Sequence, residues 1–338
     1  MRINFVSPTF LSNQNLKKSN AKNPKVSVIL PIYNQEKYLS TALKSIQAQT
    51  LSDIEVICVN DGSKDNSLEI LNEYAQKDSR IKILNQKNQG SGPARNNGLK
   101  IATGDYVAFV DPDDWLEPEA FELLYNKSRT QKCDMVVFNF KKVAEDGKTI
   151  GQFDLKKRLE GVHPISEHET FNWKNIKQKV FGGIYPTVWN KFYDREFVKK
   201  SGLHFANCSL AEDGVFIFGA TLNAKNIGFL DKSLYNYLIH ENSAIRSRSD
   251  KHLCLFKSLD SVKKLLKNLG LQDELKNEFD KYILRIVSFH SKQIKSVEKF
   301  KEICKKRLTP IQNQMLNDRE LANAKIMPII KSLLNSKK

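Results

Sequence analysis

The stretch of sequence that most constrains the fold is an apolar run that ends abruptly in a group of acids. Residues 106–110 read YVAFV, and Asp111, Asp113 and Asp114 follow directly, with Pro112 between the first two. An uncharged run that stops at a turn predicts a buried strand with the turn at its carboxyl end. In an open α/β sheet, ligands bind at that end of the strands.

Two roles for the three acids are open at this point. Carboxylates held close together repel one another unless a cation lies between them. Oxygen ligands on a turn suit Mg²⁺ or Mn²⁺ carrying a phosphate, so this interpretation predicts a metal–diphosphate site. In the other interpretation, Asp113 and Asp114 cap a helix that begins near Pro118.

The composition is that of a globular protein with an anionic partner. The 338 residues are 40% hydrophobic and 27% charged, which predicts one main domain and a smaller one. The formal net charge is +16, and residues 251–338 contain 20 Lys and Arg against 9 Asp and Glu. This excess indicates a nucleotide, a nucleic acid or an acidic membrane surface as partner.

The sequence has neither a membrane-spanning pattern nor a secretion signal. No apolar run reaches about 18 residues, and the polar residues 1–24 lack the apolar centre of a signal peptide. The five cysteines are scattered without a CxxC pair, so neither a disulfide framework nor a zinc knuckle is indicated. We therefore expect residence in the cytoplasm.

Strand-like and helix-like segments alternate ahead of the acidic stretch. Strands are predicted over residues 25–31, 54–60 and 81–84, and helical spacing follows the first two at 36–49 and from Asn66 onward. No GxGxxG follows the first strand, which argues against a dinucleotide-binding fold. Asp61, directly after the second strand, could accept a hydrogen bond from a base or belong to an ordinary Asp-Gly turn.

A glycine-containing segment precedes the acidic stretch. Residues 88–98 predict a loop that runs into a helix over residues 99–102. Its glycines allow the backbone to approach a ligand closely, and Arg95 could reach a phosphate.

Further candidates lie after the central strand. Glu212 and Asp213 open an amphipathic helix, where Asp213 could be held for chemistry or merely cap the helix. Residues 226–230 and 234–239 predict two strands, and His240 follows the second. This histidine could be a neutral metal ligand or a structural residue.

The C-terminal part predicts helices amid many lysines. Apolar residues at helical spacing run through residues 255–269 and 283–289, so helices packed beside the sheet are expected. In the last segment one face holds Ile326, Ile329, Ile330, Leu333 and Leu334, with Lys325, Lys331, Lys337 and Lys338 around it. This face could lie on an anionic membrane or dock against the protein.

Taken in order, these segments resemble the family-2 glycosyltransferases with the GT-A fold. The matching pieces are VSVILPIYNQEKYL, IEVICVNDGSKDNS, NQGSGPARNNGLKIATGDYVAFVDPDDW, VWNKFYDREF, LAEDGVFIFGA and LYNYLIHENSAIRS. The resemblance covers residues 25–247 and implies an α/β fold with a mixed central sheet. We expect an N-terminal arm at 1–24, a catalytic domain with a donor half at 25–140 and an acceptor half at 141–247, and a basic helical region at 248–338.

The resemblance also implies roles for individual residues. Those expected to contact a nucleotide-diphosphate sugar donor are Pro31, Tyr33, Glu36, Asp61, Arg95 and Asp111. Those expected to hold Mn²⁺ or Mg²⁺ are Asp113, Asp111 and His240, where Asp111 could instead contact the ribose. Pro112 departs from the small polar residue that is commoner between the two acids of the family's DxD motif.

The implied reaction is an inverting transfer with Asp213 as general base. The transferred group would be a hexose or an N-acetylhexosamine, with a UDP-sugar as the expected donor. The acceptor would be a hydroxyl of a bacterial surface glycan or glycolipid, such as lipooligosaccharide, capsule or a teichoic-type polymer. Together with this resemblance, the basic C-terminal tail predicts attachment of the protein to the inner face of the membrane. No nucleic acid is expected as a partner.

Two other classes of protein compete with this interpretation. A nucleotidyltransferase that makes sugar nucleotides can share the architecture, but it usually carries a glycine- and arginine-rich loop where residues 33–37 stand here. A basic protein that binds nucleic acid or membrane would account for the net charge. It would leave the acidic turns unexplained.

Overall fold

The computed structural model describes residues 24–207, 211–241, 248–315 and 326–334. Nearly all of the expected N-terminal arm lies outside these ranges, as do Lys325, Lys337, Lys338 and the expected domain boundary at residue 247. The described strands form one sheet. They are β1 (Val26–Ile32), β2 (Ile54–Asn60), β3 (Ile81–Asn85), β4 (Tyr106–Phe109), β5 (Trp115–Leu116), β6 (Met135–Ala144), β7 (Thr149–Phe153), β8 (Lys191–Asp194) and β9 (Ile227–Ile239).

Helices cover the sheet and form the C-terminal region. They are α1 (Leu39–Gln47), α2 (Ser67–Lys77), α3 (Ser91–Ile101), α4 (Ala120–Gln131), α5 (Leu155–Leu159), α6 (Arg195–Lys200), α7 (Asp213–Asn223), α8 (Cys254–Asn268), α9 (Lys276–Ser291), α10 (Val297–Met315) and α11 (Ile326–Leu334). Short 3₁₀ turns lie at Lys177–Lys179 and Asp250–Leu253.

The sheet is mixed, as expected from the resemblance. Its order is β3-β2-β1-β4-β8-β6-β9-β5, and β7 pairs with β6. Strands β1 to β4 run parallel, β8 is antiparallel to both β4 and β6, and β9 is parallel to β6. All residues of β1, β2 and β4 are buried, because helices cover both faces of a parallel sheet. The carboxyl ends of these strands therefore meet at one edge.

The glycine-containing segment is helical where the sequence predicted a loop. Helix α3 begins at Ser91 rather than near Leu99. Gly98 is needed for close packing, because a Cβ at this position would lie 2.5 Å from Cγ2 of Ile29 in β1. The helix is thereby pressed against the first strand, and glycine's low helix propensity is outweighed by tertiary packing.

Three other predictions also need correction. Asp113 and Asp114 do not cap the helix near Pro118, because β5 follows them and α4 begins at Ala120 after Glu119. Helix α7 is buried on all sides rather than amphipathic, since every residue from Gly214 to Leu222 is buried. The two strands predicted over 226–239 are one strand, β9, whose pairing with β6 shifts register around Asn139.

The C-terminal helices pack on the protein and on one another. Helix α8 packs against α7, and α11 packs against α9 and α10. The apolar residues Ile326, Met327, Ile330 and Leu333 of α11 are buried. Of the two interpretations of this helix, docking against the protein is therefore the one that the structure supports. No helix in the described ranges is long and apolar enough to span a bilayer.

We expect Gly98→Ala to lower the free energy of unfolding by about 1–3 kcal/mol, because the new methyl overlaps a fully buried isoleucine in β1. Thermal and urea unfolding measure the change. The matched control is Gly151→Ala in β7, where the nearest contact of a new Cβ is 3.7 Å from Lys142 Cδ. The control should stay within about 0.5 kcal/mol of wild type. Equal losses in both variants would contradict the packing role of Gly98.

Candidate active site

A buried arginine gathers three carboxylates at the edge of the sheet where β4 ends. Arg95, in the second turn of α3, is 4% exposed. Its Nη2 lies 2.7 Å from Asp111 Oδ1, and its Nη1 lies 3.0 Å from Glu212 Oε1 and 2.9 Å from Asp213 Oδ1. We call Asp111, Glu212 and Asp213 the acid cluster. A planar guanidinium can serve several oxygens at once, and a buried charge is stable when it is paired in this way.

Close packing of α3 brings the acid cluster together. A Cβ at Gly92 would lie 2.6 Å from the carbonyl oxygen of Ala206 and 3.1 Å from Glu212 Cβ. The Ser91 hydroxyl donates a hydrogen bond to Glu212. The first turn of α3 therefore lies directly against the segment that leads into α7, and this contact places Arg95 beside the N-terminus of that helix.

The acid cluster carries more negative than positive charge. Burial raises the pKa of Asp213 to about 7, while Arg95 opposes the rise and Glu212 adds to it. Burial also raises the pKa of Asp111, again against the influence of Arg95. One guanidinium cannot neutralise three carboxylates, so the cluster favours either a shared proton or a further cation nearby.

Residues 111–114 form a tight turn in which the acids have different surroundings. The N–H of Asp114 donates to the carbonyl oxygen of Asp111 at 3.1 Å. The Asp114 carboxylate is buried and accepts hydrogen bonds from the Tyr235 hydroxyl and the Leu238 N–H, both at 2.7 Å. Burial and the two neighbouring acids raise the pKa of Asp114 well above its usual value. Asp114 therefore ties the turn to β9.

Asp113 and His240 fit part of a divalent metal site. His240 Nε2 lies 2.9 Å from Asp113 Oδ2, which is close to the separation of adjacent ligands around an octahedral Mg²⁺ at about 2.1 Å from each. The other ring nitrogen, Nδ1, is buried and has no hydrogen-bond partner among the residues that the structure describes. Among the described residues, no three His, Cys, Asp or Glu side chains converge to hold a metal, and Asp111 turns toward Arg95. The pair suits an ion whose remaining ligands are substrate phosphates.

The other residues expected at the donor lie on neighbouring loops. The Asp61 carboxylate already accepts hydrogen bonds from Gln86 Nε2 and from the N–H groups of Gln89 and Gly90, at 2.7–2.8 Å. It thus holds the segment that leads into α3. A carboxylate offers about four acceptor positions, so a contact with a base is compatible with these bonds.

The loop after β1 is bound to the loop after β2. Glu36 Oε2 accepts from both the backbone N–H and the side-chain amide of Asn66, and the Glu36 N–H donates to Asp65. Tyr33 is 39% exposed on the same loop, whereas Pro31 is buried in β1. The structure therefore brings Arg95 and the acids of residues 111–113 and 213 together with His240, and places these loops alongside. The donor contacts themselves stay predictions.

Lys191 is a charged residue near the site to which the sequence assigned no role. It is 1% exposed on β8, and its Nζ donates to the carbonyl oxygens of Tyr185 at 2.7 Å and Thr187 at 2.5 Å and to Asn190 Oδ1 at 2.7 Å. Three acceptors match the three protons of an ammonium group. Burial lowers the pKa of Lys191 well below its usual value, and Asp213 opposes this shift. The sequence pattern that could have indicated a buried lysine is its position among the aromatic residues of VWNKFY.

We expect Arg95→Met to cost about 3–5 kcal/mol of stability near neutral pH, because it leaves the acid cluster buried without its cation. The loss should shrink as the pH falls, since removing the cation raises the carboxyl pKa values further above those of the unfolded chain. Unfolding measured between about pH 8 and about pH 5 tests both expectations.

The control is Arg80→Met, which removes an arginine 2.8 Å from Asp78 with 26% of its side chain exposed. This change should cost no more than about 1 kcal/mol. A loss for Arg95→Met that is equally small, or that does not change with pH, would contradict the role given to Arg95.

Comparisons with known proteins assign the chain to a family. Residues 27–200 match the family model described as Glycosyl transferase family 2. The chain is 34% identical to EpsH of Bacillus subtilis (strain 168) over 78% of its own length and 75% of that protein.

Two solved structures share the fold. S. aureus TarS 1–349 in complex with UDP-GlcNAc superposes with a TM-score of 0.64 at 24% identity, covering 92% of this chain and 90% of that one. Mannosyltransferase PcManGT from Pyrobaculum calidifontis in complex with GDP-Man and Mn²⁺ gives a TM-score of 0.51 at 14% identity, covering 92% and 86%. These likenesses and the mixed sheet confirm the GT-A fold.

The family match favours a glycosyltransferase over a nucleotidyltransferase and over a basic nucleic-acid-binding protein. The match spans just over half of the chain and includes β4, the strand that leads into the acidic turn. On this evidence, the chain belongs to glycosyl transferase family 2.

Proposed function

We propose that the protein is a metal-dependent, inverting glycosyltransferase that moves a hexose or an N-acetylhexosamine from a UDP-sugar to a hydroxyl of a bacterial surface glycan or glycolipid. The observation that carries the proposal is the position of Asp213, a largely buried carboxylate with a pKa near 7, beside Arg95 and the acidic turn. The TarS structure in complex with UDP-GlcNAc supports a uridine nucleotide donor.

Asp213 has the properties of a general base. An acceptor hydroxyl becomes a good nucleophile when a carboxylate takes its proton, and a base with a pKa near the working pH does so most effectively. Arg95 holds this carboxylate at the N-terminus of α7 through a 2.9 Å contact. Because 19% of the Asp213 side chain is exposed, an incoming hydroxyl could reach it.

Asp113 and His240 would hold the metal ion. When bound, Mn²⁺ or Mg²⁺ neutralises the negative charge that develops on the departing nucleoside diphosphate. Tyr38 packs against His240 with its ring centroid 4.7 Å away, which restrains the imidazole beside the carboxylate. The Mn²⁺ complex of PcManGT supports this choice of ion.

The expected stereochemistry follows from the presence, among the described residues, of a single proposed base without a second side chain suited to act as a covalent nucleophile. A single displacement needs one base on the face of the sugar opposite the departing nucleotide, and it inverts the anomeric carbon. Asp213 fills that role, and Asp111 is held by Arg95 at 2.7 Å, which disfavours it as a covalent nucleophile. An α-linked donor would then give a β-linked product.

The proposal also includes the division of the chain. Residues 25–247 form the catalytic domain, with the nucleotide beside the loops after β1 and β2 and the acceptor bound by parts of residues 141–247. The described helices within residues 248–338 support the catalytic domain, because α8 packs against the helix that carries Asp213. We place the protein in the cytoplasm, with attachment to the inner membrane face through basic side chains rather than through the covered apolar face of α11.

A panel of UDP- and GDP-sugars tests the proposed reaction by Mn²⁺-dependent release of nucleotide. We expect the wild-type protein to turn over one donor. The rate of nucleotide release should fall about 10²–10⁴-fold in Asp213→Asn, and it should no longer depend on Mn²⁺ in Asp113→Ala. The control is Asp231→Asn. Asp231 lies on β9, is partly exposed and forms an ion pair with Lys156, so this change should leave turnover unchanged. Absence of both turnover and calorimetric binding of every donor with Mn²⁺ present would refute the proposal.

The rate should depend on pH through Asp213. Because the unprotonated carboxylate is the active form, kcat/KM should fall by about tenfold per pH unit well below pH 7, with an apparent pKa of about 7. Measuring donor affinity by calorimetry over the same range separates this effect from weakened binding. An acid limb near pH 4, the ordinary range for an aspartate, would contradict the role of the buried carboxylate.

A further inference from the structure

A cluster of aromatic side chains lies directly beside the acidic turn. Trp189 stacks on Tyr235 of β9, with ring centroids 4.4 Å apart, and on Tyr237 at 5.3 Å. Phe140 of β6 contacts Trp189 and Tyr185 edge-to-face, at 4.6 Å and 5.2 Å. The Tyr235 hydroxyl donates to the Asp114 carboxylate of the turn, so the cluster and the acids are part of one structure.

Two members of the cluster differ from the rest. Trp189 and Tyr235 are almost completely buried, whereas Tyr185 and Tyr237 are half-buried. The structure records no hydrogen bond from either of these two hydroxyls to another described residue. Tyr237 stands two residues after Tyr235 on β9, and both rings stack on Trp189, so the two tyrosines share one face of the strand. Tyr185 and Tyr237 both contact the rings of Phe140 and Trp189, so the two side chains belong to the same cluster.

We propose that Tyr185 and Tyr237 form the acceptor subsite and bind a carbohydrate ring of the acceptor. Aromatic faces pack against the apolar C–H face of a sugar ring, and phenol hydroxyls bond to its hydroxyl groups. An acyl chain suits this place less well, because it would leave two tyrosine hydroxyls and nearby carboxylates desolvated without partners. The inference rests on the proposed function, since it names the acceptor of that reaction.

The order of strands separates this subsite from the donor. The loops expected to hold the nucleotide follow β1 and β2, on one side of β4. The aromatic cluster is carried by β6, β9 and the segment before β8, on the other side of β4. A sugar bound on the tyrosines would therefore approach the acidic turn from the side opposite the nucleotide, as an in-line displacement requires.

Lys191 connects the subsite to the proposed base. Its ammonium group holds the carbonyl oxygens of Tyr185 and Thr187 and so fixes the loop that carries one of the tyrosines. Lys191 begins β8, which pairs with β4, and Arg95 joins Asp213 to Asp111 just after β4, so the loop and the proposed base lie at the same edge of the sheet. A hydroxyl of a sugar on the tyrosines would therefore be near the group that takes its proton.

Saturation-transfer NMR with simple sugars tests the subsite without a known acceptor. The full chain, with diamagnetic Mg²⁺ and saturating UDP, is mixed in turn with the methyl β-glycosides of glucose, galactose and N-acetylglucosamine. We expect the wild-type protein to transfer magnetisation to at least one glycoside, which shows that this glycoside binds. The affinity for that glycoside should weaken roughly three- to ten-fold in Tyr185→Ala or Tyr237→Ala. The Phe variants keep the stacking ring and should bind more tightly than the Ala variants.

Phe289→Ala is the matched control, because Phe289 is 48% exposed on α9, outside the cluster, and its loss should not change sugar binding. Calorimetric UDP affinity and unfolding midpoints show whether each variant is folded. Absence of glycoside binding to wild type, or equal binding by wild type and folded Ala variants, would overturn the subsite while leaving the proposed function intact. Failure of UDP itself to bind wild type would count against the proposed function, separately from the glycoside result.

Discussion

The pairing of one buried guanidinium with three carboxylates is the interaction on which the site depends. Arg95 comes from α3, Asp111 from the end of β4, and Glu212 and Asp213 from the start of α7, so a single side chain joins three parts of the chain. Without that charge the acids would repel one another or bind protons. With it, Asp213 is held at the N-terminus of α7, where we propose that it acts as the base, while Asp113 contacts His240 instead.

The mixed sheet determines which elements lie on each side of the acidic turn. Parallel strands β1 to β4 end at one edge, where hydrogen bonds such as that between Glu36 and Asn66 join the loops that we propose bind the donor. Beyond β4 the antiparallel strand β8 and the long strand β9 bring aromatic residues and His240 to the same edge. This arrangement is the reason for our proposal that the nucleotide and the acceptor bind on opposite sides of one turn.

Local sequence patterns were sufficient for much of the fold and for most of the residues that the structure brings together in the candidate site. The second strand was predicted with its observed bounds, 54–60, because a β-branched run has no competing period. Helix α3 was placed too late because Gly92 and Gly98 look like loop residues, whereas they allow contacts with Ala206 and Ile29. Helix α7 was predicted to be amphipathic because its own sequence does not show that α8, which follows it in the chain, packs on it.

The sequence by itself determined the alternation of strands and helices, the acidic turn at the end of β4 and the residue types available for metal and proton chemistry. Tertiary structure alone decided their partners. Asp113 meets His240 across 127 positions and Arg95 meets Asp213 across 118, whereas Asp114 is committed to β9. Such contacts depend on the order of strands in the sheet and on close helix packing, and no pattern confined to neighbouring residues encodes either one.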